Sequence, residues 1–278
     1  MRSVMKLFAM DLDGTLLDGE DRIHPRDAAA IARALELGVI VTIATGRLTS
    51  RTHPTARVLG LRAPLICADG GVLACGESER ILNRRPLPAQ ITAEALEVLS
   101  AHGLSRFVFT HEAIHACTLG TRYHPYVRGW SHAITAHEDL RRAPLLGPDA
   151  DGAIMLVGIG DRARVERAEQ ALGALRAQVE LLTFDMASGC VIRLLSKGTS
   201  KGSALLSLAR ELSVRPEHVA VIGDWFNDVS MFEIAGHAFA MPQAPDAVKA
   251  KANHVLDAEA ARRGAIADAL DHWLAALS

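Results

Sequence analysis

Residues 8–17 read Phe8-Ala9-Met10-Asp11-Leu12-Asp13-Gly14-Thr15-Leu16-Leu17. The run at 6–10 is short and largely apolar, which predicts a buried strand ending at Asp11. Side chains two apart on a strand share a face, so Asp11 and Asp13 would emerge together at its carboxyl end. In a parallel α/β sheet that end opens on the crevice where ligands bind. Paired carboxylates there could hold a divalent cation, or one could attack an electrophile while the other handles the proton. Taken alone, the same residues also fit a plain Asp-Gly turn that ends a strand.

Working outward, residues 25–37 predict a helix opened by Pro25 and closed by Gly38. Residues 39–44 (VIVTIA) predict a second buried strand ending at Thr45-Gly46-Arg47, and 65–67 (LIC) a third ending at Asp69-Gly70-Gly71. Near the other end, a helix is expected from about Lys201 to Leu212. A strand over 219–222 then stops at Gly223-Asp224, and a further apolar segment covers 239–241. Between 83 and 194 the pattern changes. Strand candidates at 107–110, 114–119, 153–159, 179–184 and 190–195 crowd together, interrupted by one clear helix at about 161–176. The expected fold class is therefore α/β: a Rossmann-like parallel-sheet core with an inserted α+β cap domain. The expected boundaries are 1–82 and 195–278 for the core and 83–194 for the cap.

The 278 residues carry 30 basic and 32 acidic side chains, a net charge of -2 that argues against a polyanion-binding protein. Only five of the basic residues are lysines, at 6, 197, 201, 249 and 251, and none lies in the middle block. Cys67, Cys75, Cys117 and Cys190 form no CxxC pair and suggest neither a zinc site nor a disulfide framework. The start of the chain is too short and too acidic for a signal peptide, and no window approaches a membrane span. We therefore expect a cytoplasmic protein with neither nucleic acid nor membrane as partner; oligomeric state is not legible.

Asp11 and Asp13 do not stand alone. Thr45 ends the second predicted strand, Lys201 opens a helix, and Asp224 and Asp228 follow the late strand, so all are delivered toward one sheet edge. A nucleophile, a metal clamp and fixed donors to phosphoryl oxygens are what phosphoryl transfer needs. With DLDGT at 11–15, ATGR at 44–47, SKGSAL at 200–205 and GDWFND at 223–228, the chain resembles, over its full length, haloacid dehalogenase superfamily phosphatases of the Cof type with a C2 (IIB) cap.

That resemblance implies roles. Asp11 would attack phosphorus and become a transient aspartyl phosphate. Asp13 would protonate the leaving alcohol and later deprotonate the hydrolytic water. Mg2+ would bind the Asp11 carboxylate, the Asp13 backbone carbonyl and Asp224, with Asp228 close by or acting through water. Thr45 would hydrogen-bond a phosphoryl oxygen, Lys201 would neutralise the phosphate and hold Asp11, and Gly46, Arg47 and Asn227 would join Thr45 and Lys201 in contacting substrate. Lys197-Gly198 offers a second Lys-Gly four residues earlier; the family context and the helix start favour Lys201.

The chain departs from the family in places. Trp225 and Phe226 stand where relatives carry a small residue; Trp225 is expected to line the pocket and Phe226 to pack below the loop. Asp69-Gly70-Gly71 replaces the usual Asn-Gly-Ala, and Met241-Pro242-Gln243-Ala244 the usual Met-Gly-Asn-Ala. Segment 121–130, with both tyrosines, a tryptophan and two arginines, is a candidate ligand-facing cap loop or a surface turn. The histidines at 111, 115, 124, 132 and 137 match no compact metal-ligand spacing. The expected activity is a magnesium-dependent phosphomonoesterase acting on a small phosphorylated metabolite, a sugar phosphate first. Alternatives are a hydrolase of phosphorylated cofactors such as pyridoxal or flavin phosphates, a phosphomutase, or a phosphoacceptor signalling module.

Overall fold

The computed structural model describes residues 4–117, 122–140, 152–186 and 189–277. In chain order the first elements are β1 (Leu7–Met10), α1 (Pro25–Glu36), β2 (Ile40–Ile43), α2 (Thr49–Val58), β3 (Leu65–Cys67), β4 (Val72–Ala74) and β5 (Ile81–Arg84). There follow α3 (Ala89–Ala101), β6 (Ser105–Phe109), β7 (Ile114–Cys117), α4 (His124–Val127), β8 (Ile134–His137), β9 (Met155–Gly160), α5 (Arg162–Ala171), β10 (Val179–Met186) and β11 (Gly189–Ser196). The last are α6 (Lys201–Glu211), β12 (Val219–Gly223), α7 (Val229–Phe232), β13 (His237–Ala240), α8 (Asp246–Lys249), β14 (His254–Val255), α9 (Ala260–Arg263) and α10 (Ala265–Ala276).

Chain contacts divide the protein into two compact units. One holds the residues through Thr45, then Thr52–Leu82, then Ser200 onward; the other holds Gly46–Arg51 and Asn83–Thr199. Two stretches depart from the expected boundaries. Residues 46–51 join the second unit, where the Leu48 amide donates to the Trp130 carbonyl at 2.7 Å. The second unit also runs on through Thr199, because β11 extends to Ser196 and Lys197 pairs with Glu180 of β10 at 3.1 Å.

In the first unit, five parallel strands lie in the order β14-β13-β12-β1-β2. β1 is buried along its length because helices cover both faces, which is why it reads as an unbroken apolar run. Leu7 and Ala9 face a core cluster with Leu205 and Leu208 of α6 and Met231 and Phe232 of α7. Phe8 turns the other way, its ring 5.9 Å from the fully buried Trp273 of α10. Burying an aromatic ring of this kind contributes about 2–3 kcal/mol over leaving it exposed.

β3 corrects an expectation. It touches β2 through the single parallel bridge Ala44–Ile66, and otherwise pairs antiparallel with β4 in a separate three-stranded sheet that β5 completes. Gly70-Gly71 turns the chain back at once, so the third strand does not lead into another crossover helix.

The second unit is a six-stranded sheet, β10-β11-β9-β6-β7-β8, antiparallel except for the parallel β7–β8 pair. One face packs Val108, Leu156, Ile192 and Leu194 against α3 and α5. The middle block thus carries a second long helix, α3, where the sequence pattern singled out only the one at 161–176. Its buried Ile91, Ala95, Leu96 and Leu99 follow helical spacing. The expected strand at 114–119 is seen through Cys117; residues 118 and 119 lie outside the described residues.

Candidate active site

The register of the first sheet brings the sequence motifs level. Met10 lies opposite both Ile222 and Ile43, the Asp11 amide donates to the Ile222 carbonyl at 3.1 Å, and the Ala44 amide to the Met10 carbonyl at 2.9 Å. The carboxyl ends of β1, β2 and β12 therefore present Asp11, Thr45 and Asp224 at one edge. Lys201 reaches the same place from the first turn of α6. Ser200 caps that helix in a reciprocal capping box with Ser203, which satisfies two otherwise orphaned amides and fixes where the helix begins.

At the centre the Lys201 ammonium, with no side-chain exposure, donates to Asp11 Oδ1 at 2.6 Å and to Asp228 Oδ1 at 2.7 Å. The other oxygen of Asp228 accepts from the Asp224 and Trp225 amides, each at 2.9 Å. Asp228 thus folds back over its own strand end, which Gly223 permits: a Cβ there would lie 2.4 Å from the Asp228 carboxyl carbon. A Cβ on Gly202 would lie 1.9 Å from the Ser230 carbonyl oxygen, so α6 and α7 meet backbone to backbone.

Burial alone would lower the pKa of Lys201, but the Asp11 and Asp228 charges outweigh it and hold the ammonium above its ordinary pKa. Burial pushes the Asp11 carboxyl well above the usual range, against the Lys201 charge and with help from Asp228 and Asp224. Asp224 is raised to about 7, chiefly by burial and then by Asp228. Oxygens of Asp11, Asp224 and Asp228 lie within 4.8 Å of one another, and these residues are the sole such acidic, histidine or cysteine group among the described residues. Three carboxylates around one ammonium leave a deficit of two positive charges when ionised. Hard oxygen donors with that deficit suit a divalent cation.

Asp13 is exposed beside this cluster and its charge is felt by Asp224. Thr45 is buried. Asn227 donates from its side-chain amide to Asp69 Oδ1 at 2.8 Å, a partner that sequence reading missed. Gly46 and Arg47 lie in the second unit, where Arg47 is buried. Lys197 is a surface residue of that same unit. Trp225 is half-buried, but Phe226 is 38% exposed, which corrects the expectation that it packs below the loop. The two rings meet edge to face, their centroids 5.5 Å apart.

In the cap segment, Thr121 lies outside the described residues. Tyr126 and Trp130 meet edge to face with centroids 4.7 Å apart, and Trp130 packs 5.5 Å from Phe109. Pro125, Arg128 and Gly129 help line a cavity of about 640 Å³ together with Arg51 and His132.

Residues 8–270 match the family model of haloacid dehalogenase-like hydrolases. The chain belongs to that family. Among its curated relatives, pyridoxal phosphate phosphatase YbhA of Escherichia coli K12 is 29% identical over 90% of this chain and 93% of its own. 5-Amino-6-(5-phospho-D-ribitylamino)uracil phosphatase YwtE of Bacillus subtilis is 28% identical over 90% and 92%. A haloacid dehalogenase-like hydrolase from Bacteroides thetaiotaomicron superposes with a TM-score of 0.77 at 25% identity, covering 96% of this chain and 99% of that one. The fold is also that of a subclass IIB sugar phosphatase, at TM-score 0.78 and 21% identity over 97% and 99% of the two chains. No described helix is long and apolar enough to cross a membrane.

Proposed function

We propose that this hydrolase is a magnesium-dependent phosphomonoesterase for small phosphorylated metabolites. The observation that carries the proposal is the buried Lys201 ammonium shared between Asp11 and Asp228, beside Asp224, at the strand edge of a chain whose named relatives are phosphatases. Lys201 orients Asp11 so that one carboxylate oxygen is engaged and the other is left to attack phosphorus. As the oxygen–phosphorus bond forms, the bond to the leaving alcohol breaks and Asp13 supplies the proton that the alkoxide takes. Water then attacks the aspartyl phosphate, Asp13 accepts its proton, and inorganic phosphate departs with Asp11 regenerated. Asp13 is exposed beside the cluster, and the proton it gives to the alkoxide in the first step is restored by the attacking water in the second.

Asp11, Asp224 and the Asp13 backbone carbonyl would hold Mg2+, with Asp228 behind them. Bound there, the cation supplies the positive charge that lets a phosphate dianion approach several carboxylates. Thr45, Lys201 and Asn227 serve as donors to the phosphoryl oxygens.

Sugar phosphates are the first substrate class to test. A second reading, phosphorylated ring compounds, is favoured by Trp225 and Phe226, whose half-buried and exposed rings can stack on a planar group. It is favoured also by relatives named for pyridoxal phosphate and for a phosphoribitylamino-uracil. A phosphate-release screen with Mg2+ across both classes tests the proposal. Asp11→Asn should lose all turnover with the fold intact, and substantial residual turnover overturns the nucleophile assignment. Product that is re-phosphorylated, with no net phosphate release, would mean a mutase. A phospho-Asp11 that persists for minutes in the native chain would mean a signalling module.

A further inference from the structure

Behind the acidic cluster lies a turn that the proposed chemistry does not use. Ala68, Asp69 and Gly70 follow one another at φ of 48°, 51° and 93°. Residues other than glycine keep such a left-handed conformation only where their surroundings hold them in it. All three are buried, Asp69 to 2% exposure.

The turn makes three connections. The Asp69 amide donates to the Thr45 carbonyl at 2.9 Å, and Asp69 Oδ1 accepts from Asn227 Nδ2 at 2.8 Å. Gly70 lies so close to Ser200, the residue before Lys201, that a Cβ would stand 2.2 Å from the Ser200 carbonyl oxygen. From Asn227 the chain of bonds continues. Ser230 Oγ donates to the Asn227 carbonyl at 3.2 Å and accepts from the Gly202 amide at 3.0 Å. Thr45, Asn227 and the first turn of α6 are thus tied to one another without passing through Asp11.

We propose that Asp69 is a positioning residue: its buried carboxylate and amide fix Asn227 and Thr45, and through them the donors that meet the phosphoryl group. This rests on the phosphatase reading above. The residue is chemically suited to the task. A carboxylate accepts but never donates when ionised, so Asp69 holds one of the two N–H groups on Asn227 Nδ2 and fixes which end of that amide faces it, leaving the second N–H as the donor. Asparagine at 69 would keep an acceptor and tolerate the left-handed backbone. Glycine would tolerate the backbone and remove the acceptor.

The test is steady-state kinetics of the full chain with Mg2+ and a small aryl phosphate, well below each variant's melting temperature. Asp69→Gly should lower kcat by about 10–100-fold, the scale expected when reacting groups are misplaced by an ångström or less. Asp69→Asn should stay within about threefold of the parent, since rescue by a neutral acceptor of the same shape is what positioning requires. An Asp69→Gly enzyme with kcat within twofold of the parent overturns the proposal. So does an equal loss in Asp69→Asn, which would assign the effect to charge. Should Asp69→Gly not fold, Asn227→Ala breaks the same bond from the other side. It should lose kcat, and adding Asp69→Asn should cost nothing further; full kcat in Asn227→Ala, or a further loss in the double variant, overturns the proposal. A parent chain that turns over no phosphate ester overturns the phosphatase reading, and this one with it; parental turnover with an unimpaired Asp69→Gly overturns this one alone.

Discussion

Replacing Lys201 by methionine keeps most of the side chain's apolar stem and deletes its ammonium. That group stands 2.6 Å from Asp11 and 2.7 Å from Asp228 with no exposure to water. At an effective dielectric of 20, unit charges at that spacing attract by roughly 6 kcal/mol per pair. Desolvation offsets much of this, so removing one partner of a buried pair costs about 3–5 kcal/mol. For a body of this size each kcal/mol moves the melting temperature by about 2–4 °C. In a chelator at pH 8, Lys201→Met should therefore melt about 6–20 °C below the parent.

The pH dependence has a definite sign. Burial raises the Asp11 carboxyl well above the usual carboxylate range, and the lysine charge is what opposes it. Without that charge the folded-state pKa climbs further. An acid whose folded pKa exceeds its unfolded one loses stabilisation as pH rises through the folded value. The deficit should accordingly shrink at pH 5.5, where protons replace the ammonium, and be largest at pH 8. Differential scanning calorimetry across that range, with phosphatase assays on the same samples, reads both effects. A variant that melts within about 2 °C of the parent at pH 8 in chelator would show that the ammonium does not compensate the cluster. Turnover above about a hundredth of the parent's, some 2.7 kcal/mol of barrier, would remove Lys201 from the chemistry.

Because burial and Asp228 raise Asp224 to about 7, a Mg2+ ion held there as proposed would displace a proton at low pH. The rise in melting temperature on adding Mg2+ should be larger at pH 8 than at pH 5.5, and a pH-independent rise would place the ion elsewhere. His254 stacks on Phe239 and His237 and packs at a tilt against His272, and burial followed by the neighbouring imidazoles lowers the pKa values of His237 and His254 below 6.5. A base with a depressed folded pKa stabilises fully above its unfolded value and loses that as pH falls. Melting should therefore drop below about pH 6.5, and His254→Asn should flatten the drop; an unchanged slope refutes the link. Asp27 Oδ1 accepts from the Ala267 amide at 2.8 Å in the first turn of α10, whose own Gly264 offers no side-chain cap. Asp27→Ala should cost about 1–2 kcal/mol by urea unfolding and Asp27→Asn less; equal losses would mean that the carboxylate charge, not the cap, matters.

The sheet edge was readable because its signals are local. An apolar run closed by a polar residue marks all three strands, an acid after β1 and β12 and Thr45 after β2, and parallel pairing then sets Asp11, Thr45 and Asp224 level. What escaped was less local or had competing cues. α3 carries helical spacing, but Pro88 precedes it and it lies ahead of a run of strand-like segments that draw the eye. β5 is a polar strand, Ile81-Leu82-Asn83-Arg84, with little burial to pattern it. Asp69-Gly70 announces a turn, yet its partner Asn227 lies 158 residues away. Phe226 looked like core, but the side chain stands 38% exposed against the edge of Trp225, a tertiary outcome that the aromatic pair alone does not announce. The grouping of 46–51 with the second unit depends on tertiary contacts such as Leu48 to Trp130, for which the motif itself carries no sign.

The close approaches at Gly202 and Gly223 also bear on how such an enzyme can change. A single added methyl at either position would strike a carbonyl oxygen or a carboxylate, so the backbone of the site has almost no neighbouring sequences to drift through. The rings at 225 and 226 are under no such restraint, standing half-buried and exposed on that locked base. A mutational library over this loop should come back invariant at the glycines and varied at the aromatics. New substrate ranges would arise by redecorating a frozen frame.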